Sequence, residues 1–166
     1  MAETTSADLE RRLRLVEDRL AIEDLGARYC QGFDDHRWDE IVTELFTEDA
    51  VFDILAKVES RAAIARFFAD VTAEGLGATW HYEINRRIEI DGDTASVESM
   101  FFCPCVRNGE AWLAAGRYTD TVRRDGGTWR FAVKRGRFDY FLPLADGWEP
   151  GRYGFPEASA AARRPG

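Results

Sequence analysis

Three residue types in this chain are suited to acid-base chemistry: an imidazole, a carboxylate and a phenol. His81, one of two histidines, lies in Ala78-Thr79-Trp80-His81-Tyr82-Glu83-Ile84-Asn85, while Tyr29 and Asp34 lie in Tyr29-Cys30-Gln31-Gly32-Phe33-Asp34. An imidazole, with an ordinary pKa of about 6.5, exchanges protons near neutrality, and a carboxylate on its second nitrogen fixes the tautomer and strengthens the base. Tyr29 adds an acid or polarising donor. Each residue also has a plainer reading: His81 as a hydrogen-bonded structural histidine, and Asp34 as the N-cap of the following helix, a role for which Asp35 competes. Contact between Asp34 and His81 decides between the two.

Tyr29 and Asp34 are five residues apart, a turn of about 140° on a continuous helix, so they do not share a face. Gly32 lies between them, and unwinding at this poor helix former is the expected way for Asp34 to swing towards the side of Tyr29. A helix intact through Phe33 counts against the site. Near the C-terminus, Arg130, Lys134 and Phe138 share one strand parity, with Phe131, Val133, Arg135 and Arg137 on the other. Lys134 or Arg135 is placed to donate to a substrate oxygen or leaving group, with solvated surface charge as the default for each arginine. His36, between Asp35 and Arg37, reads as solvent-facing. The sequence contains no metal-ligand cluster, phosphate-cradling glycine loop or nucleotide fingerprint, so no cofactor and no metal are expected.

With 166 residues, 45% of them hydrophobic and 13% aromatic, the chain suits one domain with a real core. A net charge of −8 argues against a nucleic-acid surface, which needs clustered Lys and Arg. No apolar run approaches the roughly 18 residues of a membrane span, and the polar N-terminus lacks a secretory pattern, so a cytoplasmic location without membrane association is expected. Cys30, Cys103 and Cys105 lack zinc-site spacing and read as small buried side chains.

These residues must be positioned by helices followed by strands. Leu9, Leu13, Val16 and Leu20, then Ile22, Leu25 and Tyr29, predict a helix over 6–32, capped by Ser6 or Asp8. Its heptad-like stripe packs either on its own sheet or on a neighbouring subunit. Trp38, Ile41, Val42 and Leu45 give a second helix ending near 47–49, and 50–55 alternates weakly as a strand. Ser60 caps a third helix carrying Ile64, Phe67, Phe68 and Val71. Strands follow over 79–90, 94–106, 110–123 and 128–141, with turns at Asp91-Gly92-Asp93 and Asp125-Gly126-Gly127. Along 79–90, His81, Glu83, Asn85, Arg87 and Glu89 share one face and Trp80, Tyr82, Ile84, Ile88 and Ile90 the other, the natural packing face unless a bulge shifts the parity. This order predicts an α+β domain over 1–141, with helices covering one face of an antiparallel sheet, and an irregular strap and frayed tail over 142–166.

Several segments resemble the SnoaL-like branch of the nuclear transport factor 2-like superfamily: Ala21-Ile22-Glu23-Asp24-Leu25, Gly32-Phe33-Asp34, Leu45-Phe46-Thr47-Glu48-Asp49-Ala50, Gly92-Asp93-Thr94-Ala95, Gly116-Arg117-Tyr118-Thr119-Asp120 and Trp129-Arg130-Phe131. Within the branch the chain is most similar to the hexachlorocyclohexane dehydrochlorinases and the scytalone and bile-acid 7α-dehydratases. Tyr140-Phe141-Leu142-Pro143-Leu144-Ala145 resembles the dehydrochlorinase C-terminus in particular. The resemblance implies a cone of three helices on a strongly curved antiparallel sheet, a homotrimeric assembly, and an aspartate-histidine dyad at Asp34 and His81. The dehydrochlorinase lysine is replaced here by Tyr29, and the arginine of its last strand by Lys134. The dehydratases carry the tyrosine five residues before the aspartate, as here.

The combined expectation is a cofactor-independent lyase acting on a hydrophobic small molecule, most simply a dehydratase for a hydroxylated, carbonyl-bearing cyclic, aromatic or steroid-like substrate. His81, Asp34, Tyr29 and Lys134 form the catalytic group, with Phe33, Trp38, Phe52, Phe101, Phe102, Trp112 and Phe138 lining the pocket. An isomerase or polyketide-type cyclase using the same dyad, and a non-catalytic ligand-binding domain, are the alternatives.

Overall fold

A computed structural model describes residues 5–146. Helix α1 (Ser6–Asp34) is capped by Thr5, whose hydroxyl accepts from the Asp8 N–H at 3.2 Å, rather than by Ser6 or Asp8 as expected. Its second half buries Ile22, Leu25, Tyr29 and Cys30, whereas Leu9, Leu13, Val16 and Leu20 of the first half stay exposed. The stripe therefore does not pack on its own sheet. Nor does α1 unwind at Gly32: it runs on through Phe33 to Asp34. Gly32 serves packing instead, since a Cβ there would lie 2.6 Å from Ile41 Cγ1 of the second helix.

Helix α2 (Trp38–Leu45) buries Ile41, Val42 and Leu45 and ends two residues earlier than expected. Strand β1 (Phe46–Asp53) begins at the next residue, because Phe46 already pairs with Phe131 of the last strand. Strand β2 (Lys57–Glu59) turns back on β1. Helix α3 (Arg61–Ala73) follows, with Ser60 Oγ accepting from the Ala63 N–H as the sequence predicts.

The expected strand over 79–90 is two pieces, β3 (Leu76–Thr79) and β4 (Tyr82–Asp91), with Trp80 and His81 between them. Strands β5 (Thr94–Arg107), β6 (Glu110–Asp125) and β7 (Thr128–Pro143) form a long meander. Leu142 and Pro143, expected in an irregular strap, still belong to β7, and a short 3-10 turn (Leu144–Asp146) follows. The remainder of the expected strap and tail lies outside the described residues.

The sheet order is β2-β1-β7-β6-β5-β3, with β4 also paired to β5. It is mixed rather than purely antiparallel, because β1 runs parallel to β7. Register shifts interrupt β4 between Ile84 and Arg87 and the β6·β7 ladder between Thr121 and Val122 and between Ala115 and Gly116. Such bulges bend and twist the strands, curling the sheet into a half-barrel whose concave face the helices close. The main core lies between α1, α2, α3 and that face, around Phe46, Phe52, Phe68, Val122 and Phe131. A second cluster, with Phe101, Cys103, Tyr118 and Phe141, lines the sheet further along.

The bulge in β4 also sets side-chain direction. Asn85 takes φ 56°, and the alternation reverses across it. His81 and Glu83 point inward before the bulge, Arg86 and Ile88 after it, while Tyr82 and Ile84, expected on the packing face, are more than half exposed.

Candidate active site

The helix end and the strand break meet at Asp34. Asp34, the last residue of α1, contacts the 79–81 segment. Its Oδ1 accepts from Thr79 Oγ1 at 2.8 Å and lies 2.6 Å from His81 Nδ1, while Oδ2 accepts from the His81 backbone N–H at 2.8 Å. Asp34 thus reaches the imidazole without the unwinding at Gly32, and it does not cap α2, which has no side-chain cap. Burial by itself raises the Asp34 pKa, but the hydrogen bonds from the His81 ring and backbone, His81's charge and the Thr79 hydroxyl outweigh it and hold the carboxyl below its ordinary range. An ionised Asp34 accepts the proton of Nδ1, so the neutral ring carries its lone pair on Nε2.

His81 borders a cavity of about 300 Å³ enclosed by α1, α3 and the concave sheet. Phe33 packs edge-on against the imidazole at 4.8 Å and against Trp38 at 4.5 Å, fixing the ring from the helix side. Phe33, Trp38, Phe52, Phe101 and Phe138 line the cavity as expected from the sequence, and so does Tyr29. Phe102 and Trp112 do not. Phe102 falls on the outward parity of β5, where it is 38% exposed, and Trp112 packs on Phe141 beneath the Arg107 guanidinium. Tyr118, Phe68, Phe141 and the thiol-bearing Cys103 and Cys105 line the cavity as well. Alternation along β5 and β6 carries the signal for Cys103, Cys105 and Tyr118: each falls among the buried positions of its strand.

Lys134 is not a cavity group. It is wholly buried, its ammonium donates to Asp120 Oδ2 at 3.0 Å, and Asp120 Oδ1 accepts from the Arg135 N–H. The expectation that Lys134 donates to a substrate oxygen is corrected by this pairing. Its Nζ sits 3.9 Å from the centre of the Tyr118 ring and 4.3 Å from that of Tyr29, two rings that do face the cavity. Burial pushes the Asp120 carboxyl up to about 6 despite Lys134. Arg135, the other proposed donor, points out to Asp53. His36 is exposed as expected and stacks on Trp38.

Glu83 shares the inward direction of His81 but is fully engaged. It accepts from Ser99 Oγ and pairs with Arg86, each at 2.7 Å. Burial alone raises its pKa, yet Lys134 and Arg86 bring it down to about 2. Cys30 Sγ also contacts Glu83, and burial pushes that thiol up to about 12. Burial likewise raises the Tyr29 phenol well above its usual range, so Tyr29 remains a neutral hydrogen-bond donor. All three cysteines are free and buried. Among the described residues, no group of three or more His, Cys, Asp or Glu side chains is arranged to hold a metal ion, and no helix is long and apolar enough to cross a membrane.

A base oriented by a carboxylate, facing an apolar cavity beside two phenols, is an arrangement that can move a proton on a bound organic molecule. Comparison with known proteins agrees with the fold that carries it. No curated protein matches the chain significantly. Among solved structures, hexachlorocyclohexane dehydrochlorinase LinA type 2 superposes with a TM-score of 0.74 at 25% identity, over 87% of this chain and 99% of that one. A candidate scytalone dehydratase from Novosphingobium aromaticivorans gives 0.70 at 25% identity, over 78% of this chain and 88% of that one. A candidate aromatic ring hydroxylase from the same organism gives 0.72 at 33% identity, over 79% and 96%. The SnoaL-like domain family matches residues 14–135, a span that holds α2, α3, most of α1, the sheet as far as the middle of β7 and every member of the Asp34, Thr79 and His81 cluster, and the chain belongs to that family.

Proposed function

We propose that the protein is a cofactor-independent lyase, a dehydratase for a hydroxylated, carbonyl-bearing cyclic, aromatic or steroid-like small molecule. The 2.6 Å contact between His81 Nδ1 and Asp34 Oδ1 at the wall of an apolar cavity carries this reading. His81 Nε2 takes a proton from the carbon next to the carbonyl or from its vinylogous position. The electrons of that C–H bond form the new double bond as the C–O bond breaks, and the imidazolium returns its proton to the departing hydroxyl, so the net loss is one water. Asp34 stabilises the imidazolium, and Tyr29 donates a hydrogen bond to the leaving oxygen or the developing enolate. Lys134 acts through its neighbours, holding the Tyr29 and Tyr118 rings in place from behind. The dehydratase and dehydrochlorinase named among the structural relatives support an elimination, and the tyrosine in place of the dehydrochlorinase lysine supports water as the leaving group.

The test is turnover of a panel of hydroxylated cyclic ketones followed by mass spectrometry. A product lighter by one water is expected, with His81→Ala reducing turnover by about 10² to 10⁴ and leaving the circular dichroism unchanged. A product of unchanged mass with a shifted double bond or a new ring makes the protein an isomerase or cyclase. Ligand bound and returned unaltered makes it a binding domain. Normal turnover by His81→Ala overturns the mechanism.

The reading extends to a cytoplasmic homotrimer. The free thiols support a reducing compartment. The outer face of β4 and β5, where Tyr82, Ile84, Met100 and Phe102 stand exposed, supports self-association, as does the exposed Trp80 in the break before β4. Light scattering on the purified chain gives the mass that checks it.

A further inference from the structure

The first half of α1 presents an apolar seam that stands exposed among the described residues. Leu9, Leu13, Val16 and Leu20 are 53%, 58%, 55% and 63% exposed. Their spacing of four, three and four residues is that of alternating d and a positions of a heptad repeat, Leu9 and Val16 at d and Leu13 and Leu20 at a. In this register Asp18 is an f residue, directly opposite the seam. Its carboxylate accepts from Arg124 Nη2 at 2.5 Å and from Trp129 Nε1 at 3.0 Å. The helix is thus tied to its own sheet by the side facing away from the seam, which leaves the seam open to a second helix. At the C-terminal end the seam stops at Glu23, the next d position, which is engaged by Arg86.

The flanking charges select the occupant. Positions g hold Arg12 and Arg19, and positions e hold Glu10, Glu17 and Asp24. All five are exposed. Arg12, Arg19, Glu17 and Asp24 make no ion pair within the chain among the described residues. In a parallel coiled coil each g residue faces the e residue five positions later on its partner. Against a second copy of this chain, Arg12 then meets Glu17 and Arg19 meets Asp24, opposite charges on both flanks of the seam. An antiparallel pairing sets g against g and e against e, placing arginine on arginine and carboxylate on carboxylate.

We propose that α1 is a self-association element, docking in parallel on α1 of another copy of this chain through Leu9, Leu13, Val16 and Leu20. Parallel packing relates the copies by rotation about an axis along the helices, which a cyclic assembly, a trimer included, permits. The seam spans about 17 Å at 1.5 Å per residue, too short to hold isolated helices together, and it works as an addition to folded domains.

A cysteine placed in the seam tests both occupant and direction. In a parallel pair the a positions of two copies adjoin, so Leu13→Cys is expected to form a disulfide-linked dimer on mild oxidation of the full chain. Arg14→Cys, one position round the helix, stays unlinked, as does the parent chain with its three buried thiols. In light scattering, Leu13→Glu with Leu20→Glu is expected to lose the helix-mediated association while circular dichroism is unchanged. Arg12→Glu with Arg19→Glu weakens it, and so does Glu17→Arg with Asp24→Arg. Mixing the two charge-reversed chains restores it. Absence of the Leu13→Cys dimer, or equal linkage through Arg14→Cys, overturns the proposal. So does charge reversal without effect, a seam covered by the chain's own residues 147–166, or one covered by an unrelated protein.

Discussion

Replacing Lys134 with Met keeps the volume of the side chain but leaves the Asp120 carboxylate in the interior without its cation. The pair is as buried as ionic groups become, with side-chain exposures of 0% and 1% and a separation of 3.0 Å. Removing one partner from such a pair destabilises by about 3 to 5 kcal/mol, because the remaining charge is stranded. For a chain of this size that lowers Tm by roughly 6 to 20 °C. The second change, Asp120→Asn in the same chain, removes the stranded charge and keeps an acceptor for the Arg135 N–H, so the double variant is expected to recover most of the loss. The pH dependence has a definite sign. Asp120 has a folded-state pKa of about 6, above its unfolded value, so it favours the folded state fully below the unfolded pKa, and that contribution is lost as pH rises to about 6 and is level beyond it. Without Lys134 the folded-state pKa rises further, so the gap between Lys134→Met and the parent opens as pH climbs above 6 and narrows towards about pH 5. Thermal melts of the three chains across this range measure it. A Tm within about 2 °C of the parent at neutral pH, or a gap independent of pH, refutes the buried pair. Turnover adds a second readout: if Lys134 only positions Tyr29 and Tyr118, the double variant retains turnover once folded.

Asp34→Asn should lower stability at neutral pH, with the difference from the parent closing as pH falls. The folded pKa of Asp34 is depressed, so its contribution is complete above the unfolded value of about 3.9 and is lost as pH drops through the folded one; urea melts at neutral and acid pH check this. Gly26→Ala should destabilise by roughly 2 to 4 kcal/mol in spite of a helix-propensity gain of about 1 kcal/mol. The new Cβ would lie 1.4 Å from Arg86 Nη2, displacing the guanidinium from Glu83 and from the Ile22 and Glu23 carbonyls. A chemical-denaturation midpoint above the parent's would show that Arg86 has room to move.

What was legible in the sequence is what neighbouring residues decide. The apolar spacing of α1 and α3, the Ser60 cap and the glycine turns at Gly92 and at Gly126 and Gly127, all with positive φ, depend on local backbone preferences. The pairing of Asp34 with His81 was legible as a possibility, through residue type and family pattern. The route was not, because it rests on the geometry of a helix terminus and a strand break: Gly32 read as a hinge is a contact point for Ile41. Strand parity failed wherever an extra residue entered a ladder. Tyr82 and Ile84 were placed inward because the bulge at Asn85 was invisible, whereas Phe102 would have been placed outward by simple alternation along β5. Lys134 could not be told from a substrate donor, since its partner Asp120 sits across the β6·β7 ladder and the pairing depends on a register shift. The parallel joining of β1 to β7 is a long-range choice that hydrophobic alternation does not encode.

That joining has a consequence for how the protein is made. Among the described residues β7 is the last strand, yet it lies between β1 and β6, so a ribosome producing this chain completes α1, α2, α3 and strands β1 to β6 before the strand that unites them exists. Until residues 131–135 emerge, β1 has β2 on one edge but nothing on the other, and the faces of α1 and α2 that cover Phe131 and Val122 stay wet. The nascent domain therefore gains its interior late and nearly all at once, and it depends for that interval on whatever shields its apolar surfaces in the cell.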